Sequence, residues 1–196
     1  MQFGSVPTSA ALGAILAHGA RAGETRFKKG RVLTSADLAQ LEKAGVGTET
    51  VARLEAGDVT EDEAAKRIGN ACGGSGVRRG AAFTGRVNLY ARTDGVVTID
   101  ADLVNSINSL HESITLATLA SFSRVAKGQM LATIKIIPFA APLTAIERAE
   151  QLLADRGAIV NVRAFVPRSA ALISTVLPDT KPSLLEKNRI ALSVLL

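Results

Sequence analysis

The chain has 196 residues and a formal net charge of +5, with 47% hydrophobic residues but only 4% aromatic and no tryptophan, so its cores must be built from Ala, Val, Leu and Ile. A single cysteine, Cys72, excludes an intramolecular disulfide and a cysteine-based zinc cage, and two histidines far apart in sequence, His18 and His111, leave no candidate metal site. The longest apolar stretches, around residues 134–142 and 170–177, fall well short of the ~20 residues a membrane helix needs, and no basic cluster precedes an apolar run at the start, so a cytoplasmic protein with no membrane partner is expected.

Residues 1–33 combine short apolar runs with the basic segment 26–33 and read as two short strands turned by glycines. Thr34 and Asp37 then have capping-box spacing, Leu38 and Leu41 share one face, and Gly45 closes a short helix, with a brief strand over 50–54 to follow. Thr60 and Glu63 form a second capping box, opening a helix through about Ile68. Its first-turn acids, Glu61, Asp62 and Glu63, favour the helix dipole and read as a solvated cap, not as paired catalytic carboxylates. Residues 73–80 hold Gly73, Gly74, Gly76 and Gly80 and read as a linker, since neither a dinucleotide-binding pattern nor a P-loop is present.

Beyond the linker, residues 83–90 and 96–99 alternate like strands around Asp94-Gly95, the dipeptide favoured in tight hairpins. Val104, Ile107 and Leu110 mark a short helix, and 114–119 and 129–137 two further strands. Pro142, Thr144 and Glu147 start a third helix, with Ile146, Ala149, Leu152 and Leu153 on one side and Gly157 as its stop. Two apolar runs, 158–166 and 170–177, read as buried strands that this helix would join by a crossover, and an apolar helix runs from Ser183 to the last residue. The expected class is mixed α/β (α+β) in small layered modules. These are an N-terminal module over 1–72, the linker 73–80, a strand-rich module over 81–141, and a helix-strand segment, 142–196, leading into an incomplete domain.

No catalytic triad can be assembled: His111 has only Glu112 beside it, and adjacent side chains point apart. Arg86, Arg92 and Lys135 are candidate anion-binding residues of the strand-rich module. The run 170–177, carrying Ser174 and Thr175 and turning through Pro178, Lys181 and Pro182 toward a helix, has the layout of an anion site at a strand's carboxyl end. Arginines are scattered with few aromatics between them, so nucleic acid is not expected as a partner.

Four phrases carry a family resemblance: Lys28-Lys29-Gly30-Arg31-Val32-Leu33-Thr34-Ser35-Ala36-Asp37-Leu38, continuing through Gly45-Val46 and Val51-Ala52-Arg53-Leu54; Leu54-Glu55-Ala56-Gly57-Asp58-Val59-Thr60-Glu61-Asp62-Glu63-Ala64-Ala65; Phe83-Thr84-Gly85-Arg86-Val87-Asn88-Leu89; and Ala132-Thr133-Ile134-Lys135-Ile136-Ile137-Pro138-Phe139-Ala140. With them the chain resembles the N-terminal region of molybdopterin molybdotransferase-like proteins, bacterial molybdopterin-binding proteins that often carry a nucleotidyltransferase domain. The resemblance implies a role in molybdenum-cofactor binding or biosynthesis, with residues 1 to about 166 as accessory domains and a parallel pterin-binding domain beginning near Arg168. It implies cofactor contacts at Ser174, Thr175 and Lys181, although the family's Thr-Gly-Asp-Glu turn is here Ser174-Thr175-Val176-Leu177-Pro178-Asp179-Thr180. Molybdopterin is then the implied cofactor and a homo-oligomer the implied assembly, with any cytidylyl transfer using CTP and magnesium carried by residues beyond Leu196. The alternative is a non-enzymatic dimerisation or small-anion-binding scaffold acting through Arg86, Arg92 and Lys135.

Overall fold

In the computed structural model, which describes residues 1–195, the chain opens with β1 (Gln2–Pro7), β2 (Ile15–Leu16), β3 (Ala20–Ala22), β4 (Thr25–Phe27), α1 (Ser35–Lys43) and β5 (Thr48–Arg53). β5 lies between β1 and β2, antiparallel to both, and β3 and β4 form a separate hairpin. Leu16, Phe27, Leu33, Leu41 and Val51 fill a small core beneath them. The expected capping box starts α1: the Asp37 N–H donates to Thr34 Oγ1 at 3.3 Å and the Thr34 N–H donates back to Asp37 Oδ2 at 3.0 Å. Arg31 adds a fork of two bonds, Nε to Oδ2 and Nη2 to Oδ1, each 2.9 Å, so the Asp37 carboxylate is saturated with donors. That fork, helped by the Thr34 N–H, lowers the Asp37 pKa to about 2.

The larger core is built from β6 (Asp58–Thr60), α2 (Glu61–Cys72), β7 (Val77–Arg79), β8 (Arg86–Ala91), β9 (Gly95–Ile99), α3 (Ala101–Asn108), β10 (Ile114–Thr118), β11 (Arg124–Val125), β12 (Met130–Ile136), β13 (Ala140–Pro142), α4 (Leu143–Arg156) and β14 (Val160–Ala164). Three antiparallel sheets result, in the orders β10-β12-β8-β7, β11-β9-β14 and β13-β6. The main sheet alternates as half-buried strands should: Val87, Leu89, Ile134 and Ile136 point into the core, while Arg86, Asn88, Thr133 and Lys135 stay outside it. α2 covers the inner face with Ala64, Ala65, Ile68 and Cys72, next to α4 with Ala145, Ile146, Ala149 and Leu153. Arg67 of α2 grips Glu150 of α4 in a two-bond fork at 2.8 and 2.5 Å. This is the aliphatic, alanine-rich core that the composition requires, and the mixed α+β class is the expected one. Burial pushes the Cys72 thiol up to about 12, which makes it an inert packing group.

Several local expectations are corrected. Residues 73–80, expected to be a linker, lie inside the fold: the Gly74 N–H donates to Val160 O at 2.9 Å, the Val162 N–H donates to Ser75 O at 2.8 Å, and β7 joins the main sheet. The glycines there answer to close approach, since a Cβ on Gly76 (φ +70°) would stand 2.6 Å from Val162 O. Asp94-Gly95 is no hairpin turn. β8 and β9 belong to different sheets, and Gly95 is small because β14 passes against it, a Cβ there colliding with the Arg163 carbonyl. The Asp94 carboxylate instead accepts from the Lys127 N–H at 2.7 Å. α4 is not a crossover between parallel strands, because β13 and β14 are in different sheets and pair antiparallel to β6 and β9. Thr60 and Pro142 precede their helices without a side-chain cap bond.

The chain divides into two units, Met1–Phe165, which holds everything above, and a second from Val166. In the second, residues 166–181 form no strand and α5 (Pro182–Leu195) follows. The strand expected over 170–177 is therefore absent. Its backbone bonds are confined to Leu177, which pairs with the nearby Thr180, no described strand forms a ladder with it, and Leu172, Ile173, Val176 and Leu177 are exposed, so neither ladder hydrogen bonds nor burial hold it in a sheet.

Two outcomes are expected. Gly76→Ala loses about 2–4 kcal/mol in denaturant unfolding, from combined backbone strain and overlap, whereas Gly128→Ala, whose φ is +85° but whose Cβ would meet nothing within 4 Å, loses only about 1 kcal/mol; equal losses would contradict the close approach. Because the folded Asp37 pKa is depressed from 3.8 to about 2, its stabilisation is present above about pH 4 and disappears as pH falls toward 2. The stability gap between wild type and Asp37→Asn should accordingly be about 1–2 kcal/mol at pH 7 and shrink steadily below pH 4.

Candidate functional site

Where the small N-terminal core meets the main sheet, a cleft of about 540 Å³ opens, lined by Lys29, Gly30, Glu61, Asp62, Phe83, Thr84, Lys135, Ile137, Pro138 and Phe139. Its floor is a tight turn at Thr84-Gly85. Both residues have positive φ (+48° and +68°), and Phe83 and Arg86 exchange backbone bonds at 3.0 and 3.1 Å across them. The Gly85 N–H donates to Asp62 Oδ1 at 2.6 Å and its carbonyl accepts from the Ile136 N–H at 2.8 Å, which ties the turn to both α2 and β12. A threonine held at positive φ is unusual and costs about 1–2 kcal/mol, a strain that these bonds maintain.

Glycine at position 85 also lets charge cross the turn. A Cβ there would stand 2.5 Å from Glu61 Oε2 and 2.9 Å from Lys135 Nζ, so the two side chains meet over a bare backbone. Lys135 donates to Thr84 O at 2.5 Å and lies 3.7 Å from Glu61 Oε2, an ion pair too long to be a hydrogen bond. Burial raises the Glu61 carboxyl above the usual range, against the opposing pull of Lys135. Lys29 sits 5.3 Å above the Phe139 ring and makes no ion pair among the described residues. Phe83, 74% exposed, and Ile137, 60% exposed, leave apolar surface open on the walls. The cleft is thus two-sided in chemistry, with ammonium groups and carboxylates set among uncovered apolar faces.

A second cleft of about 480 Å³ shares Ile137 and Pro138 with the first and contains Asp58, His111, Glu112 and Ser113. His111 Nδ1 accepts from the Ser113 N–H at 3.2 Å and lies 2.8 Å from Ser113 Oγ. The proton of the neutral ring is therefore on Nε2. Ser113 is only 2% exposed, so it orients the imidazole and is not itself presented to a substrate.

Of the sequence-predicted residues, only Lys135 reaches the first cleft. Arg86 faces it in register across β8 and β12 but is exposed outside the lining, and Arg92 folds its guanidinium back onto Val77 O at 2.9 Å. In the second unit Ser174, Thr175 and Lys181 are all exposed. Ser174 lines a shallow depression of about 360 Å³ beside Leu185, Glu186 and Arg189, and Thr175 and Lys181 do not. Sequence reading missed Lys29, Phe83 and Phe139 as site residues and read Glu61 and Asp62 as a helix cap. The Thr84-Gly85 pair between Phe83 and Arg86 was the local signal of a turn that could have drawn these groups together.

Residues 5–53, ending where β5 ends, match a family described as a domain of unknown function, DUF8806. No curated protein and no solved structure matches the chain.

Replacing the strained residue tests whether the turn is held against its own preference. Thr84→Gly is expected to raise stability by up to about 1 kcal/mol in urea unfolding, and a loss of stability would show that the Thr84 side chain contributes packing instead.

Proposed function

We propose that this chain is the accessory N-terminal region of a molybdenum-cofactor handling protein, and that its junction cleft contacts the phosphorylated pterin. One observation carries the reading. The four phrases that resemble molybdopterin-binding proteins are separated by up to about forty residues in sequence, yet every residue lining the 540 Å³ cleft comes from them. Lys29 and Gly30 belong to the first, Glu61 and Asp62 to the second, Phe83 and Thr84 to the third, and Lys135, Ile137, Pro138 and Phe139 to the fourth.

The chemistry is compatible with that ligand. Two ammonium groups attract a phosphate, and apolar faces accept a flat ring. On this reading the chain contributes binding and not turnover, and any nucleotidyl transfer with CTP and magnesium is carried by residues outside it.

Anaerobic calorimetric titration of the chain with molybdopterin is the direct check. Saturable binding with a Kd near the micromolar range, about −8 kcal/mol, is expected. Absence of heat and of co-elution on gel filtration at tens of micromolar would remove the cofactor reading.

A further inference from the structure

We infer that the junction cleft takes a phosphorylated planar heterocycle whose edge carries two adjacent N–H donors, with Lys29 on the phosphate and Glu61, beside Lys135, on the donor edge. The inference deepens the reading above and depends on it only for the choice of a pterin among the probes.

Size is the first constraint. A cleft of about 540 Å³ lies within the range of small-molecule sites and suits a ligand the size of a mononucleotide, not a peptide or a polymer. Charge is the second. The Lys29 ammonium has three donors and no carboxylate partner among the described residues, and Lys135 commits one donor to Thr84 O while standing 3.7 Å from Glu61. Lys29 therefore retains all its donors for phosphate oxygens, whereas Lys135 stays with the carboxylate end of the cleft. The walls are the third: Phe83 and Ile137 are more than half exposed, and Phe139 already lies under the Lys29 ammonium. A flat ring would cover this apolar surface at little entropic cost.

Glu61 supplies the discrimination. An ionised carboxylate is acceptor-only, with two oxygens side by side, and matches an edge that presents two donors side by side. The 2-amino-4-oxopyrimidine ring shared by guanine and pterins has such an edge. Adenine instead presents a donor beside an acceptor, which would set a ring lone pair against a carboxylate oxygen.

Calorimetry of the wild-type chain with inorganic phosphate, AMP, GMP and a 6-(phosphooxymethyl)pterin tests the inference. GMP, the pterin phosphate or both should bind at least about tenfold more tightly than AMP, the difference of one well-made charged hydrogen bond. Glu61→Gln should abolish that preference while leaving phosphate binding intact. Lys29→Ala, at an exposed position, should weaken every phosphorylated probe by about tenfold, and Phe83→Ala should weaken the ring-bearing probes but not phosphate. Circular dichroism checks that each variant is folded. Neither GMP nor the pterin phosphate binding more tightly than AMP, a preference that survives Glu61→Gln, or no binding of any probe overturns the inference. GMP binding with no pterin binding supports the cleft chemistry and overturns the cofactor reading. Molybdopterin binding unchanged by Lys29→Ala and Phe83→Ala does the reverse.

Discussion

A Cβ on Gly69 would stand 2.7 Å from Val87 Cγ1, closer than side-chain carbons approach, so α2 can lie on the main sheet at this distance only because that position carries no side chain. Ala64 and Ala65, both fully buried, keep the same face of the helix low. In a chain with few aromatic residues this close seating is how the core reaches native density, since there are no large rings to bridge a wider gap. It also fixes both ends of α2. The N-terminal end brings Glu61 and Asp62 to the Thr84-Gly85 turn, and the C-terminal end runs through Cys72 into Gly73, which bridges to Val160 of the second sheet.

The cleft follows from that placement. The Glu61 N–H donates to Phe139 O at 3.0 Å, and β6 pairs with β13 immediately beyond, so the segment carrying Ile137, Pro138 and Phe139 is pinned to the start of α2. The floor is the two-residue turn, tied to α2 by Asp62 and to β12 by Ile136. The backbone on both sides of the cleft is thus held by hydrogen bonds. The neighbouring imidazole is prepared in the same way, with Ser113 fixing which nitrogen of His111 carries the proton.

Elements governed by local chemistry were legible in the sequence. The Thr34 and Asp37 box, the apolar stripes of α3 and α4, the strands around residues 114–119 and 129–137, and the stop at Gly157 all read directly. Glycine was the main source of error, because composition does not distinguish a residue chosen for conformational freedom from one chosen for lack of bulk. Gly76 and Gly95 are sites of close backbone approach and Gly74 makes room for the side chains of Ala158 and Asn161, which depends on residues far along the chain. Acidic residues posed the same problem. Glu61 and Asp62 sit where a helix dipole welcomes them, and only the tertiary arrangement shows Lys135 reaching one and the Gly85 amide the other. Lys135 could be selected as an anion-binding candidate from its strand, but Lys29, contributed by a separate small core, could not be joined to it without the fold.

The uncovered run over residues 170–177 bears on how the protein behaves at high concentration. It is a stretch of Ala, Leu, Ile, Ser, Thr and Val with no charge and no proline, with Ile173 91% exposed, which is the composition that stacks into intermolecular β-ladders. Pro167 and Arg168 stand before it and Pro178, Asp179 and Lys181 after it, residues that break ladder growth or repel a second copy. The segment is thus bracketed by gatekeepers, and it is those flanks and not burial that oppose intermolecular pairing along it.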